Sequence, residues 1–243
     1  MPVKHAHRFY GVKTWIFDLD NTLYPPHADL WPKVDEKITA YISNFLGVDG
    51  LTARAIQKYY YQTHGTTLNG LMQEHGIDPH AFLDFVHDID RSNLPPDARL
   101  AGAIETLPGR KFVFTNGSRR HAEDTMRQLG IDHLFEDVFD IVASEFIPKP
   151  ARRPYERFLE QHSISPVTSA MFEDIPRNLE VPAQLGMRTV LVVPDDRGDH
   201  KEDWERFVEH GPGADGVRFD AVTHDLPLFL DVLANHLKDR AGA

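Results

Sequence analysis

Asp18 and Asp20 stand one residue apart at the end of a short apolar run, Trp15-Ile16-Phe17. Side chains two apart on an extended segment point the same way, so both carboxylates can face one site. Held that close they repel, unless a divalent cation sits between them or one keeps a proton. That is equipment for metal-assisted phosphoryl transfer, although Asp is equally at home in strand-end turns. A second apolar run delivers Thr115-Asn116-Gly117-Ser118. Its hydroxyls and main-chain N–H groups could hold phosphoryl oxygens, or could simply cap the next helix. Lys149, before Pro150, offers a point charge to a phosphate or a carboxylate, or is one more solvated surface lysine. Glu173 and Asp174 end a third run, with Asn178 four residues beyond. Adjacent acids there suit a Mg²⁺ ligand and a partner behind it, or negative charge at the start of a helix.

The elements that must position these residues follow from periodicity. Trp15 to Phe17 reads as a buried strand, and Pro25-Pro26 ends regular structure after it. Helical spacing then predicts four helices: Asp29 to Leu46 closed by Gly47, Thr52 to His64, Thr67 to His75 before Gly76, and one starting near Pro79. Asn93 to Pro96 reads as a linker. From Asp97 the rhythm changes to alternation. Helices are expected over Asp97–Leu107, Ser118–Leu129, Ala151–His162, Ile175–Leu185 and Leu226–Leu237. Strands are expected over Lys111–Thr115, Val138–Val142, Ser169–Phe172, Thr189–Val193 and, at an edge, Asp220–Val222. Such alternation implies a parallel sheet covered by helices on both faces. The division expected is a core of residues 1–25 and 95–243 with an all-helical insert, 26–94, after the first strand. The charged tract Asp195–Gly216 carries no interpretable motif and is expected to hold a short helix around Trp204.

In this order, at successive strand ends, the motifs resemble those of the haloacid dehalogenase superfamily. Asp18-Leu19-Asp20-Asn21-Thr22 is similar to its first motif, Thr115 to its second, Lys149 to its third and Glu173-Asp174 to its fourth. Asp-Leu-Asp-Asn-Thr-Leu-Tyr-Pro, Phe-Thr-Asn-Gly-Ser, Phe-Glu-Asp with Arg177-Asn178-Leu179, and the segment Tyr60 to Leu68 resemble the pyrimidine 5'-nucleotidase branch. One departure is Ala151-Arg152-Arg153 after Lys149-Pro150. The resemblance implies a Rossmann-like α/β core with a helical cap, and a Mg²⁺-dependent phosphomonoesterase acting on UMP, CMP or dTMP. It implies Asp18 as nucleophile and Asp20 as acid and base. Thr115, Asn116 and Lys149 would hold the phosphoryl group. Asp18, the Asp20 carbonyl and Asp174 would hold Mg²⁺, with Glu173 and Asn178 behind them. Substrate choice would fall to the cap, with Tyr24, Tyr60, His64, Thr66, Thr67 and Leu71 as candidate pocket residues. The alternatives are another small phosphate ester (a sugar phosphate or phosphorylated cofactor), halide displacement by Asp18 without Mg²⁺, or a non-catalytic binding module.

Composition narrows the classes. The 243 residues carry a formal charge of −11, which argues against polymeric nucleic acid, whose binding needs a basic face. No cysteine is present, excluding thiolate catalysis and disulfides. The 14 histidines show no zinc spacing. No apolar run is long enough to span a bilayer, and Met1 to Lys13 lacks the apolar core of a signal peptide. A cytoplasmic protein acting on a small phosphorylated metabolite is the expectation; oligomeric state is not legible.

Overall fold

The computed structural model describes residues 6–193 and 219–241; the predicted helix around Trp204 and the tract containing it lie outside the described residues. Six parallel strands form one sheet: β1 (Thr14–Phe17), β2 (Arg110–Phe114), β3 (Asp137–Phe139), β4 (Ser169–Glu173), β5 (Arg188–Val192) and β6 (Ala221–Thr223). Their order is β3-β2-β1-β4-β5-β6. β1 therefore sits at the point where successive crossovers turn in opposite directions, and the crevice beyond its carboxyl end is the natural place for a ligand.

Strict alternation along the strands feeds two cores. Trp15 and Phe17, Val113, Ala170 and Phe172, and Val190 face one side. There they pack on α5 (Ala98–Thr106), α6 (Arg119–Leu129) and α9 (Leu226–Ala241). Ile16, Phe112, Phe114, Met171 and Leu191 face the other, against α7 (Arg152–Gln161) and the region of α8 (Glu180–Leu185). Period-two burial on both faces is what a sheet covered by helices requires.

Between β1 and β2 run α1 (Trp31–Leu46), α2 (Gly50–His64), α3 (Thr67–His75) and α4 (Pro79–Val86). They enclose a separate cluster that includes Ile42, Ala53, Leu71, Phe82 and Val86. Asp49, Thr66 and Asp78 cap α2, α3 and α4 by accepting main-chain N–H bonds, and Gly47 and Gly76 end α1 and α3 in left-handed geometry. Two expectations need correction. The strand predicted to Val142 stops at Phe139, because Asp140 turns the chain by accepting from the N–H groups of Arg119 and Ala143. The helix predicted over Ile175–Leu185 is broken into a 3₁₀ turn, Pro176–Leu179, and α8. Pro182 has no N–H to give the Asn178 carbonyl, and the Tyr155 hydroxyl takes that carbonyl instead at 2.7 Å. Among the described residues no helix is long and apolar enough to cross a membrane.

Candidate active site

The sheet register brings the separated motifs to one edge. Asp18 follows β1 and its N–H bonds to the Phe172 carbonyl at 2.9 Å, while Thr115 follows β2 and bonds to the Phe139 carbonyl at 3.0 Å. Glu173 ends β4 one residue beyond the Phe17–Phe172 pair. Lys149 arrives from the loop after β3. That loop carries two consecutive non-glycine residues at positive φ, Glu145 and Phe146, at 57° and 60°. Such backbone is sparsely populated and must be held by its surroundings. Arg153 and Arg157 both donate to the Glu145 carboxylate, at 2.6 and 2.7 Å, and Phe146 packs its ring on His80 of the insert. Arg153, the departure after Lys149-Pro150, thus anchors the turn, whereas Arg152 only pairs with Glu156 on the surface of α7. Asn116 clamps the end of the loop, accepting from the Lys149 N–H at 2.8 Å and donating to its carbonyl at 3.3 Å.

Lys149 is 2% exposed and all three of its donor directions are used. They go to Asp18 Oδ1 and Glu173 Oε2, both at 2.7 Å, and to the Phe114 carbonyl at 2.9 Å. Burial works against its ammonium, but the two carboxylates outweigh that and raise its pKa. Burial, with the nearby charge of Glu173, pushes Asp18 up to about 7 against the pull of Lys149. Burial and the charges of Glu173 and Asp18 push Asp174 well up too. Asp18, Glu173 and Asp174 each present an oxygen, all within 4.8 Å of one another. Three carboxylates against one ammonium leave surplus negative charge in a nearly dry site, and hard oxygens are the donors that Mg²⁺ takes. The donor set fits that ion. Glu173 gives Oε2 to Lys149 and Oε1 to the Ile175 N–H, whereas Asp18 gives Lys149 only Oδ1, so Asp18 Oδ2 and Asp174 are the carboxylate groups left to hold it.

The Asp20 carboxylate is turned away from this cluster. Its Oδ1 accepts from the Tyr24 hydroxyl at 2.5 Å and faces His121 Nε2 at 2.9 Å. Burial pushes Asp20 up, but these two partners win and hold it below the ordinary carboxylate range. Thr115 is buried, and its hydroxyl accepts from the Gly117 N–H at 2.9 Å, which leaves the O–H to donate. Ser118 caps α6 by accepting from the His121 N–H at 3.3 Å.

The other expected residues fall elsewhere. Asn178 is buried, and its Oδ1 has no hydrogen-bond partner among the described residues. Tyr24 is buried in the sheet's core rather than in the insert, and its hydroxyl serves Asp20. Tyr60 packs inside the insert and bonds His75 at 2.7 Å. His64 contacts Thr63 and Glu74. Thr66 caps α3, Thr67 donates to the Gln57 carbonyl, and Leu71 is fully buried among the insert's helices. Successive helical residues are 100° apart, so with Tyr60 packed into the insert, Tyr61 presents a different face, toward Arg177. The Arg177 guanidinium lies over the Tyr61 ring, 4.7 Å from its centre. Burial raises the Tyr61 hydroxyl's pKa, and Asp174 and Glu173 are near enough to add to that.

Sequence reasoning met Tyr61 and Arg177 only as parts of the resembling segments, without a site role, and missed His121, His87 and Arg91. A signal for His121 existed. It falls, with Thr125, on the buried stripe of α6 formed with Ala122, Met126 and Leu129, where a polar residue needs a partner.

A family profile described as a haloacid dehalogenase-like hydrolase matches residues 12–186. The chain is similar to Phosphate metabolism protein 8 of Saccharomyces cerevisiae, with 28% identity over 202 residues; the match covers 76% of this chain and 62% of that protein's length. Among solved structures, an HAD phosphatase from Thermococcus onnurineus superposes with a TM-score of 0.57 at 14% identity, over 95% of this chain and 98% of the other. A 2-haloacid dehalogenase from Pseudomonas syringae superposes with a TM-score of 0.54 at 18% identity, over 93% and 99%. At such identities the likeness shows the fold alone, and that fold carries both chemistries.

Proposed function

The chain belongs to the haloacid dehalogenase-like hydrolases, and from that premise we propose that it is a Mg²⁺-dependent phosphomonoesterase of pyrimidine nucleoside 5'-monophosphates. One observation carries the choice of phosphate over halide. A second, hydrogen-bonded carboxylate, Asp20, stands beside an oxygen cluster of Asp18, Glu173 and Asp174. Halide displacement by Asp18 needs neither a metal-fitting cluster nor an acid for the leaving group.

On this reading an Asp18 oxygen attacks phosphorus, the P–O ester bond breaks, and an aspartyl-phosphate forms. The departing oxygen takes a proton from Asp20; the arriving phosphate's negative charge favours that proton's presence. Asp20 then removes a proton from water as the water oxygen attacks phosphorus, freeing Asp18 and inorganic phosphate. Lys149 and the Thr115 O–H stabilise the phosphoryl oxygens, and Asn116 holds the Lys149 main chain in register. Mg²⁺ held by Asp18, the Asp20 carbonyl and Asp174 supplies charge neutralisation for nucleophile and phosphate. The helical insert, residues 26–94, selects the ester, and Tyr61 with Arg177 replaces the earlier cap candidates as its contact with the site.

Phosphate release from UMP, CMP, dTMP, AMP, GMP, sugar phosphates, pyridoxal phosphate and p-nitrophenyl phosphate, with Mg²⁺ and with EDTA, tests the reading. Chelator-sensitive release favouring UMP and CMP, abolished in a folded Asp18→Asn variant, is expected. Preference for another ester overturns the substrate and keeps the chemistry. Chloride release from 2-chloropropionate without phosphate release overturns the chemistry.

A further inference from the structure

We infer that the linker returning from the helical insert controls the presentation of Asp20, through an imidazole whose tautomer Arg91 sets. Arg91 lies between α4 and α5, and its Nη2 stands 2.8 Å from His121 Nδ1. A guanidinium only donates, so Nδ1 is the acceptor, and the neutral ring carries its proton on Nε2. That N–H points at Asp20 Oδ1, 2.9 Å away. Tyr24 donates to the same oxygen. Two donors converge on Oδ1, and among the described residues none bonds to Oδ2, so the carboxyl is held with Oδ2 as the oxygen that exchanges protons. Arg91 is itself fixed by bonds to the Ile89 and His87 carbonyls, both at 3.1 Å, and to the Thr125 hydroxyl at 3.2 Å. His87, at the end of α4, stacks on the His121 ring with centres 4.3 Å apart and bonds Ser118 at 2.9 Å. The insert thereby reaches the acid through its own exit strap. His121 is fully buried and touches neither Asp18 nor Lys149 in any hydrogen bond, so its part is positional.

The inference rests on the phosphomonoesterase reading: Oδ2 gives its proton to the ester oxygen as the P–O bond breaks and the electron pair leaves with that oxygen. An alkyl leaving group needs that proton, whereas p-nitrophenolate departs without it. The test compares kcat/KM for the fastest alkyl phosphate of the panel (UMP on our reading) with that for p-nitrophenyl phosphate. This constant reports events up to the departure of the leaving group and leaves out hydrolysis of the aspartyl-phosphate. His121→Leu is expected to lower the alkyl-to-aryl ratio at least about tenfold, a fraction of what general acid catalysis contributes. His121→Gln, whose amide donates to Asp20 and accepts from Arg91, keeps the ratio within about threefold, since it preserves that same contribution. Arg91→Met, which frees the tautomer, lowers the ratio too and carries the test if His121→Leu fails to fold. Nitrogen-15 NMR of the wild type should show His121 as a single tautomer, protonated on Nε2, and Arg91→Met should broaden or split that signature. An Nδ1-protonated ring, or an equal loss on both esters in folded His121→Leu or Arg91→Met, overturns the inference. A wild type inert toward both esters overturns the phosphatase reading itself, and the NMR result then still decides the tautomer.

Discussion

Lys149 commits its three N–H bonds to Asp18, Glu173 and the Phe114 carbonyl, so it is a fixed strut between two carboxylates. The same economy governs the histidines. His87 is kept neutral by burial, with the Arg91 guanidinium adding to that and Asp20 opposing it, and its pKa is held well below the ordinary 6.5. The sign follows directly. Between the depressed folded value and 6.5 the unfolded chain binds the proton and the folded chain does not, so stability falls as pH drops below about 6.5. In His87→Phe the stacking on His121 is kept and the titration is gone. Urea unfolding of both proteins should give a constant difference above pH 7, and between pH 6.5 and 5 the wild type should lose ground by up to roughly 1.4 kcal/mol per pH unit. A difference that stays flat across that interval contradicts the buried neutral ring.

At the scale of elements, two features set the geometry. The loop from Asp140 to Lys149 is tied at both ends and at its positive-φ turn: Asp140 binds α6, Glu145 binds α7, and Asn116 holds Lys149. Strained backbone persists because these bonds over-determine it. Within the insert, α2 and α3 approach so closely at Gly70 that an added Cβ would lie 2.5 Å from the Tyr60 Cβ. Neither backbone can yield without moving a helix. Gly70→Ala should therefore destabilise the protein by about 1–3 kcal/mol despite alanine's better helix propensity, readable as a lowered urea midpoint. An unchanged or raised midpoint would show that the two helices slide apart freely.

For the whole molecule, several named contacts join the insert to the core near the site. Arg177, just after β4, lies over Tyr61 of α2; Gly65, at the α2–α3 turn, comes close to Pro148 beside Lys149; His80 meets Phe146. Tyr61→Ala removes the ring under Arg177 without touching Asp18, Asp20 or Lys149. The expected outcome is a KM raised about tenfold for the preferred ester, with kcat changed much less, and a flatter ranking across the ester panel, since contacts shared by ground and transition state lower KM alone. A loss confined to kcat would place Tyr61 in the chemistry instead of in recognition.

Patterns that repeat along the chain were decided by the sequence alone. Trp15-Ile16-Phe17 followed by Asp18 and Asp20, the alternation of helix and strand after Asp97, and the Gly47 and Gly76 helix ends are local, and local steric and hydrogen-bonding rules suffice to read them, whereas the second helix, expected from Thr52, starts at Gly50 under the Asp49 cap. The family motifs, too, lie at strand ends and keep their order. What needed the tertiary structure was every choice made across a long separation. Lys149 meets Asp18 over 131 residues and His121 meets Asp20 over 101. Which of Tyr60 and Tyr61 faces the site depends on the roll of α2 against α3, a packing decision that helical spacing permits either way. The expected helix ran through Pro182 to Leu185, and neither its break nor the Tyr155 hydroxyl that takes the orphaned Asn178 carbonyl was read from the sequence. A buried polar atom must find a partner, and only the folded chain shows which one is within reach.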